Sequence, residues 1–166
     1  PINKNTKNLF LTKNKIIVRG VATRLSAVFD DTGVGFLVAV HSIITNEDFE
    51  PKFVLCLLNS KLYNWIHKDR FYLGRIPEGS LKFPVSFLKE LPIVSIEKSK
   101  QKIFVENSDK MRNLTESLNQ KIQKFIGIIK AKYALSKITG RIESFYENSF
   151  QELKMEIEEI SKKKLS

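Results

Sequence analysis

The sequence predicts an α/β fold, a small mixed sheet with packed helices, followed by a C-terminal helical arm. Three observations carry this. β-branched and alternating runs cluster before residue 46, an apolar helical stretch opens at Pro51, and from about Ser99 the apolar residues keep a helical period. The predicted boundary lies near residue 95, with the α/β body in 1–95 and one long helix plus shorter ones in 96–166. A chain of 166 residues can bury a core without staples. Its 42% hydrophobic and 28% charged content is that of a folded globular protein.

Residues 1–14 are polar apart from Leu9, Phe10 and Leu11, and read as a mobile lead-in. Residues 15–20 (KIIVRG) predict a strand from their β-branched run, and 25–30 (LSAVFD) a second, with Leu25, Ala27 and Phe29 on one side. Asp31-Thr32-Gly33 predicts the turn that follows. Residues 35–45 (GFLVAVHSIIT) predict a longer third strand, apolar enough for the centre of a sheet. Pro51 suits the first turn of a helix, where its missing N–H has no intrahelical partner to lose. Val54, Leu57, Leu58, Leu62, Trp65 and Ile66, three and four apart, predict one buried face along that helix.

A basic and aromatic loop is expected at 67–79, then a short strand at 80–83, a two-turn helix from Pro84, and an extended exit at Leu91-Pro92-Ile93. Met111, Leu114, Leu118, Ile122, Phe125, Ile129 and Tyr133 then step by three, four and four, an eleven-residue repeat that keeps a straight stripe on one long helix. Gly140 should interrupt it. Ile142, Phe145 and Tyr146 should lie on a short helix. Ser149 with Glu152 three residues later predicts a capping box, opening a last helix with Phe150, Leu153, Ile157 and Ile160 on its apolar face.

The net charge of +10 points to an acidic partner, nucleic acid above all. The charge is spread evenly, +5 in residues 1–95 and +5 in 96–166, so a positive patch has to be built by folding. A lone cysteine, Cys56, closes no intrachain disulfide, and no apolar run has the length of a bilayer span. A start at Pro1 without methionine suggests a piece of a longer polypeptide, and no signal peptide opens it. His41 and His67 stand apart from each other and from Cys56, which argues against a metal site. Asp31, Glu50 and Lys52 imitate the acid plus Glu-x-Lys pattern of magnesium nucleases, but so short a pattern arises often by chance. No catalytic residue is assigned. The residues best suited to DNA are Arg19 and Arg24 beside the first strand, and Lys68, Arg70, Tyr72, Arg75 and Lys82 around the central loop. Lysine and arginine neutralise phosphates, arginine also reads guanine edges, and an aromatic ring stacks on a base. The plainer duty of Tyr72 is core packing.

The segments KIIVRG, LCLLNSKLYNW and GSLKFPVSFLKELPI resemble the TaqI-like C-terminal specificity domain, the target recognition domain of adenine-specific DNA methyltransferases and fused restriction-modification enzymes. The resemblance rests on Leu57-Leu58-Asn59-Ser60, Gly79-Ser80 with Phe83, and Leu91-Pro92-Ile93, in that order. The helical end is similar to the C-terminal helices of larger members, and to the plan of type I specificity subunits. The resemblance implies a prokaryotic, cytoplasmic DNA-reading module without its catalytic half. The partners it implies are double-stranded DNA and a methyltransferase domain upstream, with S-adenosylmethionine, and magnesium where cleavage is attached, bound by the parent enzyme. Loop side chains would enter the major groove while the target adenine is flipped into the catalytic domain. The helical arm would fix the reader against that domain or form a dimer. Two alternatives are a protein-interaction module built on that arm and a free-standing magnesium-dependent nuclease.

Overall fold

The computed structural model describes residues 11–35, 39–70 and 79–161. They belong to two compact units, Pro1–Lys110 and Met111–Ser166.

In the first unit, β1 (Lys15–Arg19) is followed by β2 (Val21–Ala22), β3 (Ala27–Asp30) and β4 (Val40–Ile43). The main sheet runs in the order β3-β1-β4, and both neighbours lie antiparallel to β1. The third strand was expected at the centre; the structure places β1 there and β4 at an edge, while residues 36–38 lie outside the described part. The cause is side-chain chemistry. β1 buries Ile16 and Val18 and half-buries Ile17 between them, so both of its faces are covered. In β4, His41 and Ser42 occupy the positions between Val40 and Ile43.

Lys15 is fully buried, and its ammonium meets the Asp30 carboxylate at 2.6 Å, directly across the β1–β3 register. Asp30 also accepts N–H donors from Thr32, Gly33 and Val34, closing the turn in which Gly33 takes φ 86°. Asp30, one residue before the expected Asp31, is therefore the side chain that ties this turn.

The expected single helix is two, α1 (Pro51–Leu58) and α2 (Lys61–Arg70). Asn59 breaks it by pairing with a strand backbone: its amide accepts from Ala27 N–H and donates to Ala27 C=O, both at 2.9 Å. Ser60 then caps α2, its Oγ accepting the Tyr63 N–H. The break turns the second segment about its axis. Leu62 and Trp65, expected inside, are 59% and 62% exposed, and Tyr63 and His67 are buried in their place.

β5 (Leu81–Lys82) pairs antiparallel with β2 to make a separate two-stranded sheet. α3 (Val85–Glu90) follows Pro84 and buries Phe87, and Leu91 is extended before Pro92, both as expected. The core joins Ile16, Val18 and Leu25 to Phe53, Val54 and Leu58 of α1, and to Tyr63, Phe83 and Phe87. The first turns of α4 (Lys98–Lys132) close this unit. Phe104 sets its ring edge-on to Phe53 at 5.1 Å. The fully buried Gln101 accepts the Glu50 N–H and donates to the carbonyls of Asp48 and Ile96.

In the second unit α4 ends at Lys132, eight residues before the expected break at Gly140. Ala134 takes φ 50°, and Leu135 N–H reaches back to the Lys130 carbonyl at 3.1 Å, a Schellman-type stop with an alanine in the usual glycine position. Gly140 instead opens α5 (Gly140–Glu143), which leads into a 3-10 turn at Phe145–Glu147 and then α6 (Phe150–Ser161). The capping box forms as expected: Ser149 Oγ accepts the Glu152 N–H, and the Glu152 carboxylate accepts the Ser149 N–H at 2.8 Å. Ile126, Ile129, Leu135, Ile142 and Ile157 make this unit's core. Phe150, expected on the buried face of α6, is 79% exposed. The long stripe is divided. Ile122, Ile129 and Tyr133 pack, whereas Met111, Leu114 and Leu118 stay exposed. Among the described residues, no helix is long and apolar enough to cross a membrane.

Candidate nucleic-acid interface

The site begins where β1 ends. Gly20 donates its N–H to the Ala39 carbonyl and accepts from Phe83 N–H, both at 2.8 Å, so the chain passes from the main sheet to the small one at this residue. A Cβ here would stand 2.9 Å from the Ala39 oxygen and 3.1 Å from His41 Nε2, which leaves no room for any side chain. The strands force Arg19 and the residues after it into a sharp step.

The segment from Thr23 to Ser26 folds back beside that step. Arg19 N–H donates to the Ser26 carbonyl at 3.1 Å. Leu25 is buried, and its N–H is held by the Asn64 side chain at 2.7 Å. With Leu25 anchored inside, Arg24 is left outside. The result is an open notch of about 450 Å³ lined by Arg19, Val21, Ala22, Thr23, Arg24, Ser26 and Ser80. Its polar lining is two guanidinium groups and three hydroxyls, with no carboxylate.

Lys82 stands opposite Val21 in the β2–β5 ladder, and both are exposed. Lys68 and Arg70 are exposed in the last turn of α2, where cations also offset the helix dipole. α2 is tied to β5 by His67. Its Nε2 lies 3.0 Å from the Lys82 carbonyl, and its ring packs on Phe83 at 4.4 Å and edge-on to Phe87 at 4.6 Å. Burial pushes the imidazole pKa down, against a smaller upward pull from the Lys82 carbonyl. His67, expected in a basic loop, is therefore a buried member of the core.

The structure thus brings Arg19 and Arg24 into one notch, sets Lys82 across the ladder from its Val21 wall, and couples the basic end of α2 to that ladder. Tyr72 and Arg75 lie outside the described residues. Arg19, Arg24, Lys68, Arg70 and Lys82 form no ion pair with a described residue. Sequence reasoning missed Thr23, Ser26 and Ser80, since lone hydroxyl residues give no signal until folding gathers them. It also missed Asn59 and Asn64, whose side chains hold the Thr23–Ala27 region in place.

The nuclease residues have other duties. Lys52 pairs with Asp109 at 2.5 Å and lies over the Phe29 ring, and Glu50 precedes the first turn of α1. Among the described residues, no group of three or more His, Cys, Asp or Glu side chains is placed to hold a metal ion.

Residues 1–93 match the model of the TaqI-like C-terminal specificity domain, and residues 97–166 match a domain of unknown function (DUF8810). No curated protein and no solved structure matches significantly.

Proposed function

Because the chain belongs to the family of TaqI-like C-terminal specificity domains, we propose that it is the sequence-reading part of a restriction-modification enzyme or adenine-N6 DNA methyltransferase. Membership implies a DNA target-recognition role. The single observation that carries the finer reading is the gathering of unpaired cations at the β2–β5 ladder: Arg19 and Arg24 in the notch, Lys82 on the ladder, and Lys68 and Arg70 on the helix tied to it. In this reading the chain is not itself an enzyme. Methyl transfer, S-adenosylmethionine and any magnesium belong to a separate catalytic domain. The ladder face meets the phosphates, and side chains next to it enter the major groove.

The test is selection from a random-sequence duplex library with the 166-residue chain, followed by binding measurements over a salt series. One enriched sequence and an affinity that falls steeply with salt are expected, because each neutralised phosphate releases counterions. Binding with no enriched sequence, or no binding in 50 mM salt, overturns the reading.

A second reading is favoured by one observation. Met111, Leu114 and Leu118 lie on one helix face and are 64%, 65% and 57% exposed. Such a stripe suits contact with protein, either the catalytic domain or a second copy. Sedimentation of the chain and of a Leu114→Lys, Leu118→Lys variant tests the dimer: self-association lost in the variant supports it, and a monomer in both cases rejects it.

A further inference from the structure

We propose that the notch at the β1–β2 step is a seat for one backbone phosphate of duplex DNA, and so anchors the domain without reading sequence. This rests on the DNA-reading function proposed above and divides the labour within it.

Shape is the first argument. Bases lie on the floor of a groove, so a side chain that reads them must protrude, whereas phosphates stand out from the duplex and fit a recess. Arg19 and Arg24 flank a recess of about 450 Å³. Chemistry is the second. The lining offers guanidinium and hydroxyl groups and no carboxylate, the donor set that suits a tetrahedral anion, and a guanidinium can grip two of its oxygens at once. The lining also lacks an aromatic ring on which a base could stack. Rigidity is the third. The step is fixed by three backbone hydrogen bonds, Gly20 to Ala39, Phe83 to Gly20 and Arg19 to Ser26, and by buried Leu25 held by Asn64. An anchor that sets the register of neighbouring contacts has to be stiff, and these bonds make it so.

Arg19 and Arg24 are exposed and bear no part of the core, so their replacement leaves the fold intact; circular dichroism checks this. The experiment compares the 166-residue chain with its Arg19→Ala, Arg24→Ala double variant, on a random-sequence duplex and on the duplex selected as above. The expected result is the same fractional loss of affinity on both duplexes, an unchanged ratio between them, and a salt slope shallower by about 2, roughly one for each lost phosphate contact. An Arg19→Lys, Arg24→Lys variant should keep the slope and recover part of the affinity, since charge returns without the fork. Loss of preference for the selected duplex at an unchanged slope would mean that the arginines read bases, and wild-type binding by the double variant would mean that nothing sits in the notch. Either result overturns the phosphate seat while leaving DNA reading in place. Failure of the unmodified chain to bind either duplex removes both.

Discussion

Replacing His67 by phenylalanine separates the two things this residue does. The ring would still fill the space against Phe83 and Phe87, but the donor to the Lys82 carbonyl would be gone. Leaving a buried carbonyl without its donor costs about 1–3 kcal/mol. The pH dependence is the sharper test. Burial holds the folded imidazole pKa below its ordinary value of about 6.5, so the neutral form is the folded one. As pH falls through about 6.5 the unfolded chain takes up a proton that the folded chain refuses. Wild-type stability therefore drops, by at most about 1.4 kcal/mol per pH unit, until the folded pKa is reached. His67→Phe has no such proton to take up. The gap between the two proteins should be widest at pH 7–8 and narrow toward pH 5, while the carboxylate titrations they share cancel. Urea unfolding followed by Trp65 fluorescence measures it, because this single tryptophan lies on α2 two residues before His67. A gap constant from pH 8 to pH 5 would refute a neutral buried histidine bonded to the Lys82 carbonyl.

Lys15→Met should cost about 3 kcal/mol, the lower end for a broken buried pair, because Asp30 keeps its bonds from Thr32, Gly33 and Val34; Asp30→Ala should cost more, stranding those donors and a buried ammonium, and equal losses in urea titrations would contradict this. The Asp30 carboxyl pays a burial penalty, but Lys15, Thr32 and Gly33 outweigh it and hold its pKa well below the carboxylate range. Its stabilisation is thus complete above about pH 4 and is lost as pH falls further, so acid unfolding should be less steep in Asp30→Asn than in the parent. Gly20→Ala should destabilise by about 1–3 kcal/mol through the clash with the Ala39 carbonyl, and should weaken duplex binding along with thermal stability. Ser149→Ala should cost the second unit about 1 kcal/mol of cap energy, seen as faster amide exchange at the start of α6 with exchange in the first unit unchanged.

What the sequence disclosed was whatever depends on local pattern. KIIVR had to be a strand, Pro84 and Pro92 marked real edges, and the Ser149–Glu152 spacing named its own hydrogen bonds. The errors came where a distant partner decides. Nothing near Asn59 says that its amide will pair with Ala27, 32 residues earlier, yet that pairing splits the helix and turns Trp65 outward. The stop after Lys132 was invisible for a different reason: an alanine does what glycine does more cheaply, so no punctuation appears. Gln101 and Lys15 read as ordinary surface residues because their hydrogen-bond partners assemble only in the fold. At the site, charge could be read from composition, but its arrangement could not. Arg19 and Arg24 are five residues apart with no periodicity to relate them, and only the Gly20 step and the anchored Leu25 place them around one recess.

The distribution of acids argues more strongly than the net charge for an anionic partner at this face. A protein with +10 can scatter its surplus anywhere, and a basic composition alone says nothing about location. In the first unit, however, carboxylates are committed to lysines elsewhere: Asp30 to Lys15 inside the main sheet, Asp109 to Lys52 where α4 meets α1, and Glu50 to Lys98. The five cations around the β2–β5 ladder receive none of them from the described residues. Pairing there would have been available at little cost, since an exposed ion pair is worth only about 0–1 kcal/mol and needs only a nearby acid. Acids in those positions would also repel a phosphate at every encounter. A face left with guanidinium, ammonium and hydroxyl groups, on a backbone step too tight for any residue but glycine, has the physical form expected of a surface that waits for its counter-charge to arrive with the ligand.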